Sequence, residues 1–241
     1  MAVLLDIHSH VVPSGDDGVV SEDEGIELIK LAAARSTGAL YATPHVWPID
    51  GLDPQREATI RNAYERMRPR AAEAGVELWL GFEVTPAAAR HDEDPTRYRL
   101  GELDAVLVEV PFRGSFDLPL RYGELAESAG LLPILAHPER SDAVLADPNH
   151  LRGARERGWL VQANGSSLLG HHGRAEKRLA WQLVRDGLVD LVASDGHRAS
   201  RPPFLDDAFR ALQHELGPGA EALVDGSALT RVRRSPALAT G

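Results

Sequence analysis

The chain reads as an α/β protein of barrel type, a ring of parallel strands each followed by a helix. Three features point there. Short apolar runs recur seven times, as LLDIHSH, LYATPH, LWLGFEV, AVLVEVP, ILAHPER, LVQANGS and LVASDGH. Helical spacing fills the segments between them, and 241 residues is an ordinary length for one such barrel but long for one sandwich. Six of the seven runs end on Asp, His or Glu, which a core strand has no packing reason to carry there. Parallel strands joined by right-handed crossovers place all their C-terminal ends on one face, so those residues converge in space although they are far apart in sequence.

The elements follow in order. After the first run comes a Gly/Asp loop, PSGDDG, and then Ser21-x-x-Glu24, a capping box that opens a helix through about Arg35 with Leu28, Leu31 and Ala32 as its apolar stripe. The second run stops at Thr43-Pro44-His45, where proline ends the ladder, and a helix reads from Pro54 to about Ala74. The third run carries Glu83, and the charged stretch 91–99, HDEDPTRYR, reads as a loop. The fourth carries Glu109, and the fifth ends in His137-Pro138-Glu139-Arg140; helices are expected near 120–130 and 147–157. Further helices near 174–187 and 204–216 follow the sixth and seventh runs, the seventh closing on Asp195-Gly196-His197. The tail from about Ser235 reads as frayed. With no linker rich in Pro, Gly and Ser and no repeat, residues 1–241 read as a single domain.

Composition narrows the function. The chain has no cysteine, which excludes disulfides, zinc-thiolate sites, iron–sulfur clusters and cysteine nucleophiles. A formal net charge of -10 argues against a nucleic-acid partner, since phosphate backbones are held by clustered Lys and Arg. No apolar stretch approaches the roughly 20 residues of a membrane span, and MAVLLDIHSH lacks a basic n-region. A cytoplasmic location without membrane insertion is the expectation.

The candidate ligands are each ordinary alone. His8-Ser9-His10 puts two imidazoles on one face of a regular strand, but a solitary H-x-H is more often structural, and Asp16-Asp17-Gly18 is also a turn sequence. His45 alone is as readily a surface histidine. Glu83 and Glu109 sit inside apolar runs, where a carboxylate is rarely buried without a partner. Together His8, His10, Asp17, His45, Glu83, Glu109, His137, Asp195 and His197 make a set of imidazole and carboxylate donors without sulfur, suited to manganese, iron or zinc at sites with open positions. Glu24 is assigned to the helix cap. His91, His150, His171, His172 and His214 lack strand-end placement and are read as structural.

With DIHSH, DDG, TPH, GFEV, HPER and SDGH in that order, from Asp6 to about residue 216, the chain resembles the polymerase-and-histidinol-phosphatase (PHP) superfamily. Within it, the chain is most similar to the bacterial manganese-dependent protein-tyrosine phosphatases of capsule and exopolysaccharide regulation. The resemblance implies a distorted (β/α)7 barrel of the PHP type with three divalent ions, Mn2+ first, with iron or zinc as alternatives. It implies that His8, His10, Glu83 and Asp195 hold one ion, that Glu83 bridges to a second held by Glu109 and His137, and that Asp17, His45 and His197 hold the third. Arg140 matches the first of two phosphate-binding arginines. The second is Arg198 or Arg201, with Arg201 nearer in spacing and followed by proline. Val46 departs from the pattern, since many relatives carry a second histidine there. The implied activity is phosphomonoester hydrolysis by a metal-bridging hydroxide, with His45 or His137 shuttling protons, on phosphotyrosine of a bacterial tyrosine autokinase with a tyrosine-rich tail. A small-molecule phosphatase such as histidinol-phosphatase, or another metal-dependent hydrolase, is the alternative.

Overall fold

The computed structural model describes residues 3–47, 52–86 and 94–232. Each of the seven apolar runs is a strand or a pair of strands. The first is β1 (Leu4–Ser9); the second breaks into β2 (Thr37–Ala42) and β3 (His45–Val46), and the third into β4 (Glu77–Leu80) and β5 (Glu83–Val84). A short β6 (Arg99–Leu100) precedes β7 (Leu103–Glu109), and β8 (Leu132–Ala136), β9 (Leu160–Asn164) and β10 (Leu191–Ala193) complete the set. All pair in parallel except β6, which is antiparallel to β7.

The two broken runs distort the barrel. Their first halves lie in a sheet ordered β1-β2-β4, and their second halves in a sheet ordered β10-β9-β8-β7-β5-β3. Pro44 has no N–H to continue a ladder, yet its carbonyl still accepts from Glu83 N at 3.2 Å, and Ala42 O accepts from Gly81 N at 2.8 Å. The chain therefore bends between the sheets without losing its neighbour. Between β10 and β1 there is no ladder; a single parallel bridge, Ser9 to Gly196, joins them, with Asp195 N donating to His8 O at 2.9 Å and His10 N to Gly196 O at 2.6 Å.

Side-chain alternation along the strands builds two apolar layers. Ile7, Ala105, Leu107, Ile134, Ala136, Leu160, Leu191 and Ala193 fill the interior, joined by Leu229 and Val232 from near the end of the chain. Val106, Val108, Leu135, Val161 and Val192 face the other way, into the layer shared with the helices. Glu109 has the parity of Ala105 and Leu107, so the strand that fills the barrel also points this carboxylate into its mouth.

The helices hold most of the sequence expectations and correct several. In α1 (Glu22–Ala33) Ser21 Oγ accepts from Glu24 N at 3.2 Å and Glu24 accepts from Val20 N at 2.9 Å, so Glu24 is the cap as expected. The stripe is displaced, because Leu31 is 51 % exposed while Ile26, Leu28, Ile29 and Ala32 are buried. Ile26 and Ile29 centre the buried arc, and Leu31 falls outside it. The second expected helix is α2 (Pro54–Glu73), and the third, α3 (Asp117–Ser128), starts before residue 120. The helix expected near 147–157 is the shorter α5 (His150–Glu156), preceded by a short α4 (Asp142–Ala146) that the sequence reading lacked, with Pro148 between the two. A short α6 (Gly165–Leu169), absent from the sequence reading, precedes α7 (Arg174–Arg185), and α8 (Asp206–Leu216) follows β10. Within the expected loop 91–99, Pro95–Tyr98 is a 3-10 turn capped by Asp94 and Arg99 enters β6, anchored by fully buried Tyr98 and Leu100. His91 and the tail from Ser235 lie outside the described residues.

Candidate metal centre and its pocket

The first run does not deliver its histidines from a regular strand. Between Asp6 and Ser9 β1 advances three residues against two on β2, the signature of a bulge that re-aims side chains. His8 and His10 nonetheless converge, Nε2 to Nε2 at 3.3 Å, and both are fully buried. The loop after them is fitted just as tightly. A Cβ on Gly18 would come within 2.5 Å of His10 O, so only glycine lets DDG fold back on that histidine. Asp16 makes the turn, accepting from Gly18 N at 2.9 Å, from His45 N at 3.0 Å and from His10 Nδ1 at 3.4 Å. Asp17, next along, reaches His197 Nε2 at 3.2 Å and His45 Nε2 at 3.6 Å. The turn reading and the ligand reading of DDG thus belong to different residues.

Glu83 is the hub. Its Oε2 lies 3.0 Å from His8 Nε2, 3.3 Å from His10 Nε2 and 3.2 Å from His45 Nδ1, and its Oε1 lies 2.8 Å from His137 Nε2. Complete burial would raise its pKa, but the surrounding imidazoles outweigh burial and hold it well below the usual carboxylate range. Asp195 is the same case: burial is overcome chiefly by His8 and His10. Glu109 is the opposite, raised by burial and by its neighbour Glu83, with Thr85 Oγ1 donating to it at 2.5 Å. Asp17, half in solvent, is lowered to about 2 by its hydrogen bond with His197.

Two of these side chains sit on backbone that only glycine adopts easily. His137 (φ 36°) and Asp195 (φ 53°) are two of the three non-glycine residues with positive φ among the described residues. Such conformations are disfavoured by ~1–3 kcal/mol each and persist where the surroundings enforce them, most often at working sites. His137 directly follows β8 and Asp195 comes two residues after β10, where the αL step turns the side chain across the barrel mouth.

The surroundings also select histidine tautomers. Gln162 Nε2 donates to Asn164 Oδ1 at 2.9 Å, so Gln162 Oε1 is the acceptor facing His8 Nδ1 at 3.0 Å. His10 Nδ1 faces the Asp16 carboxylate, and His197 Nδ1 faces the Asp195 carbonyl at 2.9 Å. For His8 and His10 the acceptor favours a proton on Nδ1 and leaves the Nε2 lone pair facing the cluster, the arrangement by which proteins prepare imidazole for a cation; His197 is set apart by the Arg201 guanidinium lying against its ring. The donor set therefore fits divalent metal: mostly buried N and O donors, with Glu83, Asp195 and Asp17 kept ionised and His8 and His10 in the ligating tautomer.

All nine candidate ligands come together. Their donor atoms form four overlapping groups, each within 4.8 Å: His10, Asp17, His45 and His197; His8, His10 and Asp195; His8, Glu83 and His137; and His45, Glu83 and Glu109. The grouping departs from the implied allocation: Glu109 falls with His45 and Glu83 rather than with His137, His137 falls with His8 and Glu83, and His10 also joins Asp17, His45 and His197. The cause is Glu83, whose two oxygens are shared among four imidazoles. Seven of the nine, with Arg140 and Arg201, line a pocket of about 230 Å³, and fully buried His8 and His10 do not line it. A larger groove of about 730 Å³ beside α7 contains none of them. Arg140 Nη1 donates to Asp195 Oδ2 at 3.0 Å, and Arg201 Nη2 lies 3.3 Å from Asp195 Oδ1 and against the His197 ring. Arg198 is not in the lining; its Nε donates to the Asp17 carbonyl at 3.2 Å. Val46 is fully buried in the helix-facing layer, so its departure from histidine removes nothing from the pocket.

A family model for capsular polysaccharide synthesis proteins of the CpsB/CapC type matches residues 4–224. The chain belongs to the CpsB/CapC family. Within that family it is 29 % identical over 223 residues to the tyrosine-protein phosphatase YwqE of Bacillus subtilis, covering 89 % of this chain and 85 % of YwqE. It is 26 % identical over 224 residues to the tyrosine-protein phosphatase CpsB of Streptococcus pneumoniae, covering 89 % and 91 %. A solved structure from the pair YwqE and CpsB, described as unique metal-dependent tyrosine phosphatases, superposes with a TM-score of 0.82 at 26 % identity over 97 % of this chain and 98 % of that one.

In this CpsB/CapC chain the sequence reading missed the supports of the site. Asp16, Gln162 and Asn164 hold its histidines and Asp195, the last through Asn164 Nδ2 at 2.8 Å from Asp195 Oδ2. A signal existed in the sixth run, where Leu160, Gln162 and Asn164 share one strand face. Polar residues at alternate positions of a buried strand announce a polar neighbour.

Proposed function

We propose that this chain is a metal-dependent protein-tyrosine phosphatase, using three divalent ions, manganese by preference, to hydrolyse phosphotyrosine. The observation that carries the reading is a cluster of nine sulfur-free donors, seven of which line one pocket together with two arginines, in a chain without cysteine. The relatives named tyrosine-protein phosphatases support it, as does the N/O donor set, which suits manganese. Residues 1–241 act as one barrel domain in this reading, because all seven apolar runs feed the same site.

His8, His10, Asp17, His45, Glu83, Glu109, His137, Asp195 and His197 would hold the metal. Bound divalent ions would supply water of lowered pKa and a positive field for the phosphoryl oxygens. Arg140 and Arg201 supply the rest of that field; a guanidinium fork matches two phosphate oxygens at once. Asp195 keeps both arginines in place, and the charge that develops in the transition state meets groups already oriented. His45 and His137 line the pocket, and either one, if not fully committed to metal, would pass a proton to the leaving oxygen. Phenolate is a good leaving group and needs little acid help, which suits a site with no carboxylic acid reserved for that task.

The physiological substrate in this reading is the tyrosine-rich tail of a bacterial tyrosine autokinase, and the site of action is the cytoplasm. The family's link to capsular polysaccharide synthesis supports that partner. Among the described residues no helix is long and apolar enough to cross a membrane. The test is hydrolysis of a chromogenic aryl phosphate before and after chelation, with manganese, iron or zinc restored, followed by a phosphotyrosine peptide against histidinol phosphate. Manganese should restore turnover best, and the phosphopeptide should be preferred. Full activity after verified metal removal rejects the metal-dependent reading; preference for histidinol phosphate selects a small-molecule phosphatase instead.

A further inference from the structure

Eleven residues line the pocket, and nine of them are the carboxylates, imidazoles and guanidinium groups already described. The other two are Trp47 and Phe112. Both are aromatic, and core packing explains neither position. Phe112 is 43 % exposed, one of few large apolar side chains outside the core, and Trp47 is half-buried. Their rings rest on different histidines: Trp47 stacks on His45 with centroids 5.5 Å apart, and Phe112 lies 5.7 Å from His137. Those histidines contact different oxygens of Glu83, so the rings rise from two places around the same carboxylate.

Each ring is also held by a cation. Arg140 Cζ is 4.1 Å from the Phe112 centroid, and Arg56 Cζ is 5.8 Å from that of Trp47 while its guanidinium donates to the Ser14 and His45 carbonyls at 3.0 and 2.9 Å. A pocket whose floor is charged and whose only apolar walls among the described residues are two braced aromatic rings matches a ligand that is anionic at one end and flat and apolar at the other. An alkyl phosphate would leave both rings facing water. We infer that Trp47 and Phe112 are specificity-determining residues that receive the aryl ring of the substrate, with its phosphate on the Arg140 side. This rests on the phosphatase reading and adds the residues that select aryl over alkyl phosphate monoesters.

The test uses metal-loaded protein and two non-hydrolysable probes, phenylphosphonate and methylphosphonate, with binding measured by calorimetry. Wild type should favour the phenyl compound. Trp47→Ala and Phe112→Ala should each lower that preference by roughly three- to tenfold, as expected for loss of one aromatic contact. Because Arg140 leans on Phe112, Phe112→Ala weakens both probes, and the ratio isolates the ring. Trp47→Phe and Phe112→Tyr should restore most of the preference, and metal content and melting midpoint should match wild type throughout. An unchanged ratio in either alanine variant overturns the inference. If wild type nevertheless hydrolyses aryl phosphate, the phosphatase reading stands and only this assignment falls; if wild type neither binds a phosphonate nor hydrolyses aryl phosphate, both fall.

Discussion

At the residue scale the site turns on Glu83 and Arg140, which the same pocket treats differently. Glu83 touches four imidazoles, and its removal takes a donor from every group it shares. Glu83→Ala should therefore lower bound metal per chain, measured by elemental analysis, and lower the melting midpoint, because metal that binds only the native state stabilises it. Unchanged stoichiometry would show that Glu83 is not the shared ligand. Arg140 donates to Asp195 but is no ligand, so Arg140→Ala should keep its metal and lose roughly 10²-fold in kcat/KM toward aryl phosphate, the scale of one lost preorganised donor. Arg201→Ala should behave alike, whereas Arg198→Ala, whose guanidinium rests on the Asp17 carbonyl outside the pocket, should stay within a few fold of wild type. Glu83 was legible because a carboxylate inside an apolar run is rarely buried without a partner, and the arginines because their motifs resemble those of a known family. Trp47, Phe112 and Asp16 were not, since an aromatic after a strand or an aspartate in a turn has an ordinary structural explanation.

At the element scale, β9 shows how a strand serves the site without reaching the metal. Leu160 fills the barrel interior, while Gln162 and Asn164, two and four residues on, are fully buried and pass hydrogen bonds to His8 and Asp195. Gln162→Leu keeps the volume roughly constant but releases the His8 tautomer and leaves Asn164 short of a donor. Metal affinity should fall by about 10–100-fold, typical of lost outer-sphere support, with secondary structure intact by circular dichroism. Wild-type affinity in that variant would mean that Gln162 merely fills space. The run LVQANGS could be recognised as a strand from its apolar residues. Its polar pair had no visible purpose until β1 and β10 were set beside it.

At the scale of the whole molecule, one seam of the barrel without a ladder coincides with the candidate metal centre. β10 and β1 share one bridge and two flanking backbone hydrogen bonds instead of a ladder. A polar contact adds to their union: Asp6, fully buried with its pKa raised to about 6 mainly by burial, accepts from Ser194 Oγ at 2.5 Å and Ser194 N at 3.0 Å. His8 in β1, His10 just after it, and Asp195 and His197 after β10 bring their donors together across that seam. Metal bound there would close the ring. Chelation should thus lower the melting midpoint and speed hydrogen exchange at residues 4–10 and 191–197 before the β7–β8 pair, which has an unbroken five-residue register. Uniform loosening of all strands would show that the ions do not close the barrel.

The sequence by itself determined the strands, the parallel α/β plan and the residues that converge, because apolar runs of period two and their polar ends are local properties of the chain. It also excluded thiol chemistry outright. Only the tertiary structure decided that runs two and three each serve two sheets, that Glu109 falls with His45 and not with His137, and that Arg201 rather than Arg198 lines the pocket. Those outcomes depend on a bulge in β1, a proline break, and αL steps at His137 and Asp195. Such features redirect side chains by amounts that spacing along the chain does not encode, and they are fixed only when distant strands close on one another.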